Sequence, residues 1–460
     1  MIKIDNQLKP KDLTPYLEKL WQLSAAKINN IKKNYDASKG SPVFTAAGKY
    51  TTRGWTEWTQ GFQFGSAILQ FDATGDKDFL ISGRGDTIKL MAPHVSHFGV
   101  HDHGFNNVST YGNLLRLMNE GKIEHNEYEK HFYEMALKVS GAVQAKRWTT
   151  SQEGGFIHSF NGPHSLFVDT IRTCRALAVS HILGHELMED NDKKINLLHR
   201  LIQHGISTAK YSIYYGEGRD SYDEWGRTAH ESIFNTNDGN FRCPNAQQGY
   251  SGFTTWTRGL AWAMAGFPEE LEYLETLPEN EFDGLGFSKK EVKAIFLKAA
   301  KATCDFYIAN STTDGITYWD CGAPHLHKLD NYLEKPADPY NEFEPVDSSA
   351  SAIGAQGLLR LGNYLEQQHD DDASTYWQAG LTVLKTLLQE PYLSTNENHQ
   401  GLLLHSIYHR PNGWDFIPEG SKIPNGESSM WGDYHFREVA LYVQRIIHQD
   451  PYYTFFDKLS

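Results

Sequence analysis

The stretch RGLAWAMAGF, residues 258–267, mixes small and large apolar residues at helical spacing and leaves no continuous polar face. Two other segments share this character, GFQFGSAILQF at 61–71 and SAIGAQGLLRL at 351–361. Small residues allow close helix packing, so these segments predict an inner layer of buried helices. The segment KKEVKAIFLKAAKATCDF at 289–306 instead carries Lys and Glu along one side, which is typical of an outer, solvated helix.

Apolar residues recur at helical spacing along the whole chain, with hardly any sustained strand alternation. The pattern predicts twelve helices, over 13–34, 58–73, 77–91, 104–119, 126–147, 166–186, 192–211, 253–267, 289–310, 347–367, 372–388 and 433–449.

Linker lengths between these helices alternate. The linkers before even-numbered helices are long, about 12 to 44 residues, whereas those after them are mostly about 3 to 6. This alternation places the long loops at one end of an array of antiparallel helix pairs. We therefore expect an all-α fold, an (α/α)6 barrel or six-hairpin toroid, built as a single domain over residues 1–460.

Composition excludes several classes of partner. The 460 residues carry a net charge of −14, and no basic tract is present, which argues against nucleic acid. Mean hydropathy is −0.54 and no apolar run approaches the length of a membrane span, so no membrane partner is expected. Aromatic residues make up 13% of the chain, which suits a groove that stacks sugar rings. The oligomeric state is left open.

Cysteine usage and the N-terminus bear on localisation. Four cysteines without C-x-x-C spacing do not form a disulfide framework. The first residues lack the basic and apolar regions of a signal peptide. A cytoplasmic protein is expected, or a periplasmic one if a leader has been removed.

Polar and aromatic clusters lie at or just before the starts of the even helices. Two carboxylates at the mouths of different inner helices would suffice for acid/base chemistry on a sugar. The clusters are represented by Trp58, Asp102, Asp169, Trp256, Arg258, Asp347, Trp431 and Asp433.

Motifs at these positions resemble those of the unsaturated glucuronyl hydrolases and the related unsaturated rhamnogalacturonyl hydrolases. The most specific is QGYSGFTTWTRGLAWAMAGF at 248–267. The others are HDHGF at 101–105, D-G-x-x-Y-W-D at 314–320 and DSSA at 347–350. The resemblance implies an (α/α)6 barrel that removes a 4,5-unsaturated uronic acid from the non-reducing end of lyase-generated oligosaccharides, with no metal and no organic cofactor.

The resemblance also implies roles for individual residues. Asp169 would be the general acid and base, with a pKa raised by burial and by a neighbouring carboxylate, and Asp102 the second carboxylate. An acidic oligosaccharide would be the partner, and vinyl-ether hydration the reaction. The remaining substrate-binding candidates are His230, Gln248 and Arg258 as polar contacts, and Trp58, Trp256 and Trp262 as walls.

Simpler alternatives remain open for several of these residues. Asp102, Asp169 and Asp347 could be helix N-caps, and Arg258 could form a structural salt bridge with an Asp. The Trp residues could be core, and His94, His97, His101 and His103 could hold a metal, although no acidic or Cys cluster accompanies them.

Departures from the family pattern lie close to the proposed pocket. Arg172, one helical turn after Asp169, could be a second cation for the substrate or could neutralise an outer-helix carboxylate. Segment 153–165 has no clear pocket tryptophan, which leaves Trp148 or Phe156 as candidates. Hydrolysis of saturated glucuronides by the same Asp pair, and a non-catalytic sugar-binding barrel, are the alternative functions.

Overall fold

The computed structural model describes residues 1–54 and 58–456, so the single-domain prediction for 1–460 extends slightly beyond it. Within these residues, twelve helices form the scaffold. They are α1 (Thr14–Asn34), α2 (Gln60–Thr74), α3 (Lys77–Leu90), α4 (His103–Asn107, Val108–Gly112 and Asn113–Asn119 in succession), α5 (Glu127–Lys146), α6 (Thr170–Thr173 and Arg175–Ile182), α7 (Leu197–Tyr211), α8 (Thr257–Thr276), α9 (Lys289–Asn310), α10 (Ser348–Gln367), α11 (Ala373–Leu387) and α12 (Met430–His448).

The even-numbered helices form a closed inner ring. Each contacts the next even helix, and α12 returns to α2. The odd helices pack outside them, α3 on α2, α5 on α4 and α6, α7 on α6, α9 on α8, α11 on α10, and α1 on α12 and α2. The predicted (α/α)6 barrel is therefore confirmed.

Local sequence signals account for the helix ends. Ser288 and Glu291 form a capping box at the start of α9. The Asp347 side chain accepts hydrogen bonds from the Ser349 and Ala350 amides at the start of α10. Gly75 ends α2 in the left-handed region, with φ of 73°.

Short antiparallel strands lie at the long-loop end, and one further pair lies between α6 and α7. They are β1 (Phe44–Ala46), β2 (Lys49–Thr51), β3 (Trp148–Thr149), β4 (Phe156–Ile157), β5 (Ser165–Phe167), β6 (Glu186–Met188), β7 (Lys194–Asn196), β8 (Glu231–Phe234) and β9 (Phe241–Asn245). The three-stranded sheet β5-β8-β9 pairs Phe167 with Glu231, which brings the chain before Asp169 beside His230.

Four helices differ from the prediction by three residues or more at one end or at both ends. The sixth helix, predicted over 166–186, begins only at Thr170, because 165–167 pair as β5. The seventh begins at Leu197 after β7. The eighth runs from Thr257 to Thr276 and continues through Pro268. Buried residues on both sides of this proline stabilise the helix despite the helix-breaking tendency of proline. The twelfth begins at Met430, where Ser429 caps it.

A buried ionic cluster joins three inner helices. Arg172 of α6 contacts Glu438 of α12 at 3.0 Å and also pairs with Glu269 of α8. Arg175 lies 3.4 Å from Glu438. All four side chains are essentially unexposed. The expectation that Arg172 neutralises an outer-helix carboxylate is wrong, because its partners lie on inner helices.

Among the described residues, no helix is both long and apolar enough to cross a membrane.

Candidate active site

The two predicted carboxylates meet at the long-loop end of the barrel. Asp102 precedes α4 and Asp169 precedes α6, and neither side chain makes a capping hydrogen bond. Both are 7% exposed. His101 Nε2 lies 3.2 Å from Asp169 Oδ1 and 3.9 Å from Asp102 Oδ1. The N-cap alternative therefore does not account for these two side chains.

The environments of the two carboxylates differ. Burial raises the pKa of Asp102, and the charge of Asp169 adds to this effect. Burial also works to raise the pKa of Asp169. However, the hydrogen bond and charge of His101, together with His230 and Arg258, outweigh burial and hold it below its usual value. The expectation of a raised pKa for Asp169 is wrong, because the sequence did not reveal the donors around it.

An aromatic pocket lies over the carboxylates, and both Asp102 and Asp169 are among the residues that line it. Trp58 stacks on Trp431 with ring centroids 4.9 Å apart, and Trp262 lies 4.7 Å from Phe105. Residues 55–57, the start of the motif containing Trp58, lie outside the described residues. The aromatic lining comprises Trp58, Phe105, Phe160, Trp256, Trp262, Tyr408 and Trp414.

Segment 153–165 supplies Phe160 to this lining. Neither Trp148 nor Phe156, the two candidates for a pocket residue, lines the pocket. Phe156 is fully buried in a separate cluster that includes Phe234. Trp148 packs beneath the Arg200 guanidinium, 3.9 Å from its ring centroid. The expectation for Trp148 and Phe156 is wrong because the short β3-β4 hairpin turns both of them away.

Arg258 lines the pocket but is fully engaged by protein groups. It donates to Asp347 Oδ2 at 3.0 Å, to Gln248 Oε1 at 2.8 Å, and to the carbonyls of Ile407 and Tyr408. The salt-bridge alternative therefore describes Arg258, and the expectation that it holds an acidic group of the substrate is not supported.

This arrangement orients the Gln248 side chain. Arginine has only donors, so the amide oxygen of Gln248 faces Arg258 and its NH₂ group is the end left for other partners. Gln248 also lines the pocket, so the site presents a neutral donor to an anionic ligand. Arg258 acts on the pocket through Gln248.

The His230 side chain contacts the backbone of the segment that contains Gln248. Its Nδ1 accepts hydrogen bonds from the amides of Gln247 and Gln248 at 3.0 and 3.3 Å, so the proton of the neutral ring resides on Nε2. Burial lowers the pKa of His230 to about 3, which keeps the ring neutral. Its ring packs 4.5 Å from Trp256. The Nε2 atom has no hydrogen-bond partner within the described ranges.

His94 and His103, two of the histidines of segment 94–103, make hydrogen bonds to protein groups. His103 contacts Ser140 Oγ and the His97 carbonyl, each at 3.0 Å, and His94 contacts Gln60 at 2.8 Å. No group of three or more His, Cys, Asp or Glu side chains suited to a metal ion occurs in the part of the chain that the structure describes.

Two further acidic residues of the predicted clusters have structural roles. Asp347 caps α10 and pairs with Arg258. Asp433 accepts hydrogen bonds from the Leu402 and Leu403 amides and from Tyr50. Both are fully buried.

Several pocket residues lie outside the predicted set. His101 is adjacent to Asp102 in the HDHGF motif, so its position was the one available signal. Phe160, Gln247, Tyr408, His409 and Trp414 come from loops, and the last three share the long segment before α12.

Fold and pocket together define an (α/α)6 barrel with a pair of buried carboxylates under an aromatic mouth. No protein-family model matches the sequence. The unsaturated glucuronyl hydrolase of Bacillus sp. (strain GL1) is 24% identical over 426 residues, covering 90% of this chain and 93% of that protein. The resemblance drawn from the motifs is thus confirmed by homology along most of the chain.

Solved structures give the same result for the fold. An unsaturated glucuronyl hydrolase described as specific for heparin superposes with a TM-score of 0.71 at 19% identity, covering 95% of this chain and 98% of that one. An Asp-to-Asn variant of the Streptococcus agalactiae enzyme, complexed with dGlcA-GalNAc6S, gives a TM-score of 0.60 at 18% identity, covering 93% and 90%.

Proposed function

We propose that this protein is an exo-acting glycoside hydrolase that removes a 4,5-unsaturated uronic acid from the non-reducing end of acidic oligosaccharides. One observation carries the proposal. Two buried carboxylates from different inner helices share His101 at one end of an aromatic pocket, on a barrel homologous to unsaturated glucuronyl hydrolases.

The geometry suits hydration of the vinyl ether. Asp169 would protonate sugar carbon 4 and then, as a carboxylate, assist water to add at carbon 5. The resulting hemiketal opens and expels the rest of the oligosaccharide. Asp102 would stabilise positive charge as it develops on the sugar ring.

The neutral donors of the pocket suit a uronic acid. The Gln248 amide is oriented by Arg258, and aromatic rings provide flat surfaces for the sugar. The heparin specificity and the dGlcA-GalNAc6S ligand of the two solved relatives also support an acidic oligosaccharide as substrate.

Turnover of lyase-generated disaccharides in D₂O tests the function and the reaction together. We expect loss of the ultraviolet absorbance of the double bond and one deuterium at carbon 4 of the released sugar. Release of an unsaturated uronic acid without deuterium would contradict hydration. Release of glucuronic acid from saturated glucuronides alone would contradict the substrate.

Asp169→Asn tests the assignment of the proton donor. The amide keeps the shape of the side chain but cannot transfer a proton, so we expect kcat to fall about 10²- to 10⁴-fold. Substrate affinity measured by calorimetry should change little. Asp190→Asn, in an exposed turn, is the matched control. A variant that keeps more than a tenth of wild-type turnover would rule out Asp169.

A further inference from the structure

His101 is the side chain that links the two carboxylates. A single atom, Nε2, lies within 4 Å of both Asp102 and Asp169, which come from different inner helices. The ring is 1% exposed, and its Nδ1 has no hydrogen-bond partner among residues 1–54 and 58–456. The polar contacts of the His101 ring are therefore with the Asp102 and Asp169 carboxylates.

Charged and titratable groups face His101 from several elements. Asp102 and Asp169 favour its cationic form, whereas Arg147 at the end of α5 opposes it. His158, His204 on α7 and His230 beside β8 also lie within electrostatic range, and burial keeps the pKa of each of these three well below the ordinary value. Burial opposes a charge on His101 too, but the two carboxylates prevail and raise its pKa.

The proposed reaction needs a proton on Asp169, yet the surroundings of Asp169 keep it ionised. The proton must therefore come from a neighbour in direct contact. His101 Nε2, 3.2 Å from Asp169 Oδ1, is that neighbour.

We propose that His101 is a positioning residue that holds the reaction's proton against Asp169 and supplies it through that carboxylate. The inference rests on the proposed function. The Nε2–H bond breaks as Asp169 is protonated, and Asp169 then forms the C4–H bond with the electron pair of the double bond. Water forms the C5–O bond and gives a proton to Asp169, which returns it to His101, so that water is the only co-reactant.

His101→Gln separates this role from a structural one. Glutamine places an N–H donor near the position of Nε2 but cannot release a proton. We expect kcat to fall about 10²- to 10⁴-fold, with KM within about threefold of wild type. We also expect the alkaline limb of the kcat/KM profile to move down by about one pH unit or more, because carboxyl groups alone then hold the proton. His131→Gln, on α5 with a 73% exposed side chain, is the control.

NMR of ¹⁵N-histidine-labelled protein tests the same contact without turnover. In wild type we expect one histidine to titrate above the ordinary value, to be absent in His101→Gln, and to titrate lower in Asp169→Asn. An unshifted pH profile in an active His101→Gln variant, or no histidine titration that responds to Asp169→Asn, would overturn the inference. If wild type does not turn over unsaturated disaccharides, the proposed function fails. The NMR result then decides the linkage by itself.

Discussion

Arg258 holds the Gln248 side chain in one orientation. We therefore expect the side-chain NH₂ donor, more than the volume of the side chain, to determine how tightly the substrate binds. Arg258 takes the amide oxygen at 2.8 Å. A carboxylate in place of the amide would present a second negative oxygen to an anionic sugar. The Gln248–Arg258 pair thus offers an explanation for acid recognition without a free cation.

We expect Gln248→Glu to raise KM about 10- to 100-fold, and Gln248→Ala to raise it less, since alanine removes a donor without adding a charge. Steady-state kinetics on one unsaturated disaccharide measure both. Equal KM values for the two variants would show that the amide does not face the sugar's acidic group.

Arg172 is a second residue whose role depends on its partners. Removal of its guanidinium leaves Glu269 and Glu438 with less compensation inside the barrel. We expect Arg172→Leu to lower the free energy of unfolding by about 3 to 5 kcal/mol in urea titrations. KM of the folded enzyme should not change. Arg242→Leu, which breaks an exposed pair with Asp238, should cost about 1 kcal/mol or less.

Individual residues could be predicted where a motif fixed them. The HDHGF motif identified Asp102, and the position of Asp169 at the start of an inner helix identified the second carboxylate. The partners of Arg172 and Arg258 could not be predicted, because Glu438 and Asp347 lie 266 and 89 positions away along the chain. Only the closed ring brings these groups together. Of these groups, Arg258 also helps to hold the pKa of Asp169 below its usual value.

At the scale of elements, the helical period predicted the positions of all twelve helices. It did not predict helix ends where a segment pairs as a strand with a distant part of the chain. Strand β5 replaces the predicted first turn of the sixth helix because it pairs with β8, more than sixty residues later. Helix α4 contains the π-helical segment Val108–Gly112, which amphipathic spacing does not register.

Strand β4 and the loop that follows it give two phenylalanines different roles. Phe160 lines the pocket, whereas Phe156 is fully buried beside Phe234. We expect Phe160→Ala to raise KM about tenfold with little change in stability, because a stacking surface is lost. Phe160→Trp should remain within threefold of wild type.

Phe156→Ala, four positions earlier on β4, is the matched contrast. A buried phenylalanine reduced to alanine should lower the free energy of unfolding by about 3 to 5 kcal/mol. Thermal or urea unfolding measures it alongside KM. If both alanine variants change KM equally, the assignment of Phe160 to the pocket would be wrong.

At the scale of the whole molecule, a net charge of −14 opposes the approach of an acidic sugar. Arg53 provides a local positive charge near the mouth. Its guanidinium lies 5.2 Å from the ring centroid of Trp414 and donates to the Trp414 carbonyl at 3.1 Å. Trp414 itself lines the pocket.

We expect Arg53→Gln to raise KM about two- to fivefold at low ionic strength and to lose most of this effect in 0.5 M salt, where the screening length falls to about 4 Å. Lys290→Gln, at the start of α9 and thus at the opposite end of the barrel, should have no effect. An Arg53→Gln defect that is independent of salt would indicate a direct contact instead of long-range attraction.

The buried ionic cluster has a consequence for the order in which the protein is made. Arg172 and Arg175 leave the ribosome more than 260 residues before Glu438, their shared counter-charge. Until α12 emerges, Glu269 is the one carboxylate of the cluster that these two guanidinium groups can pair with, so a partly synthesised barrel would bury positive charge that is not fully compensated. Closure of the toroid is thereby coupled to the emergence of α12, and a product truncated before α12 would be a substrate for chaperones and proteases.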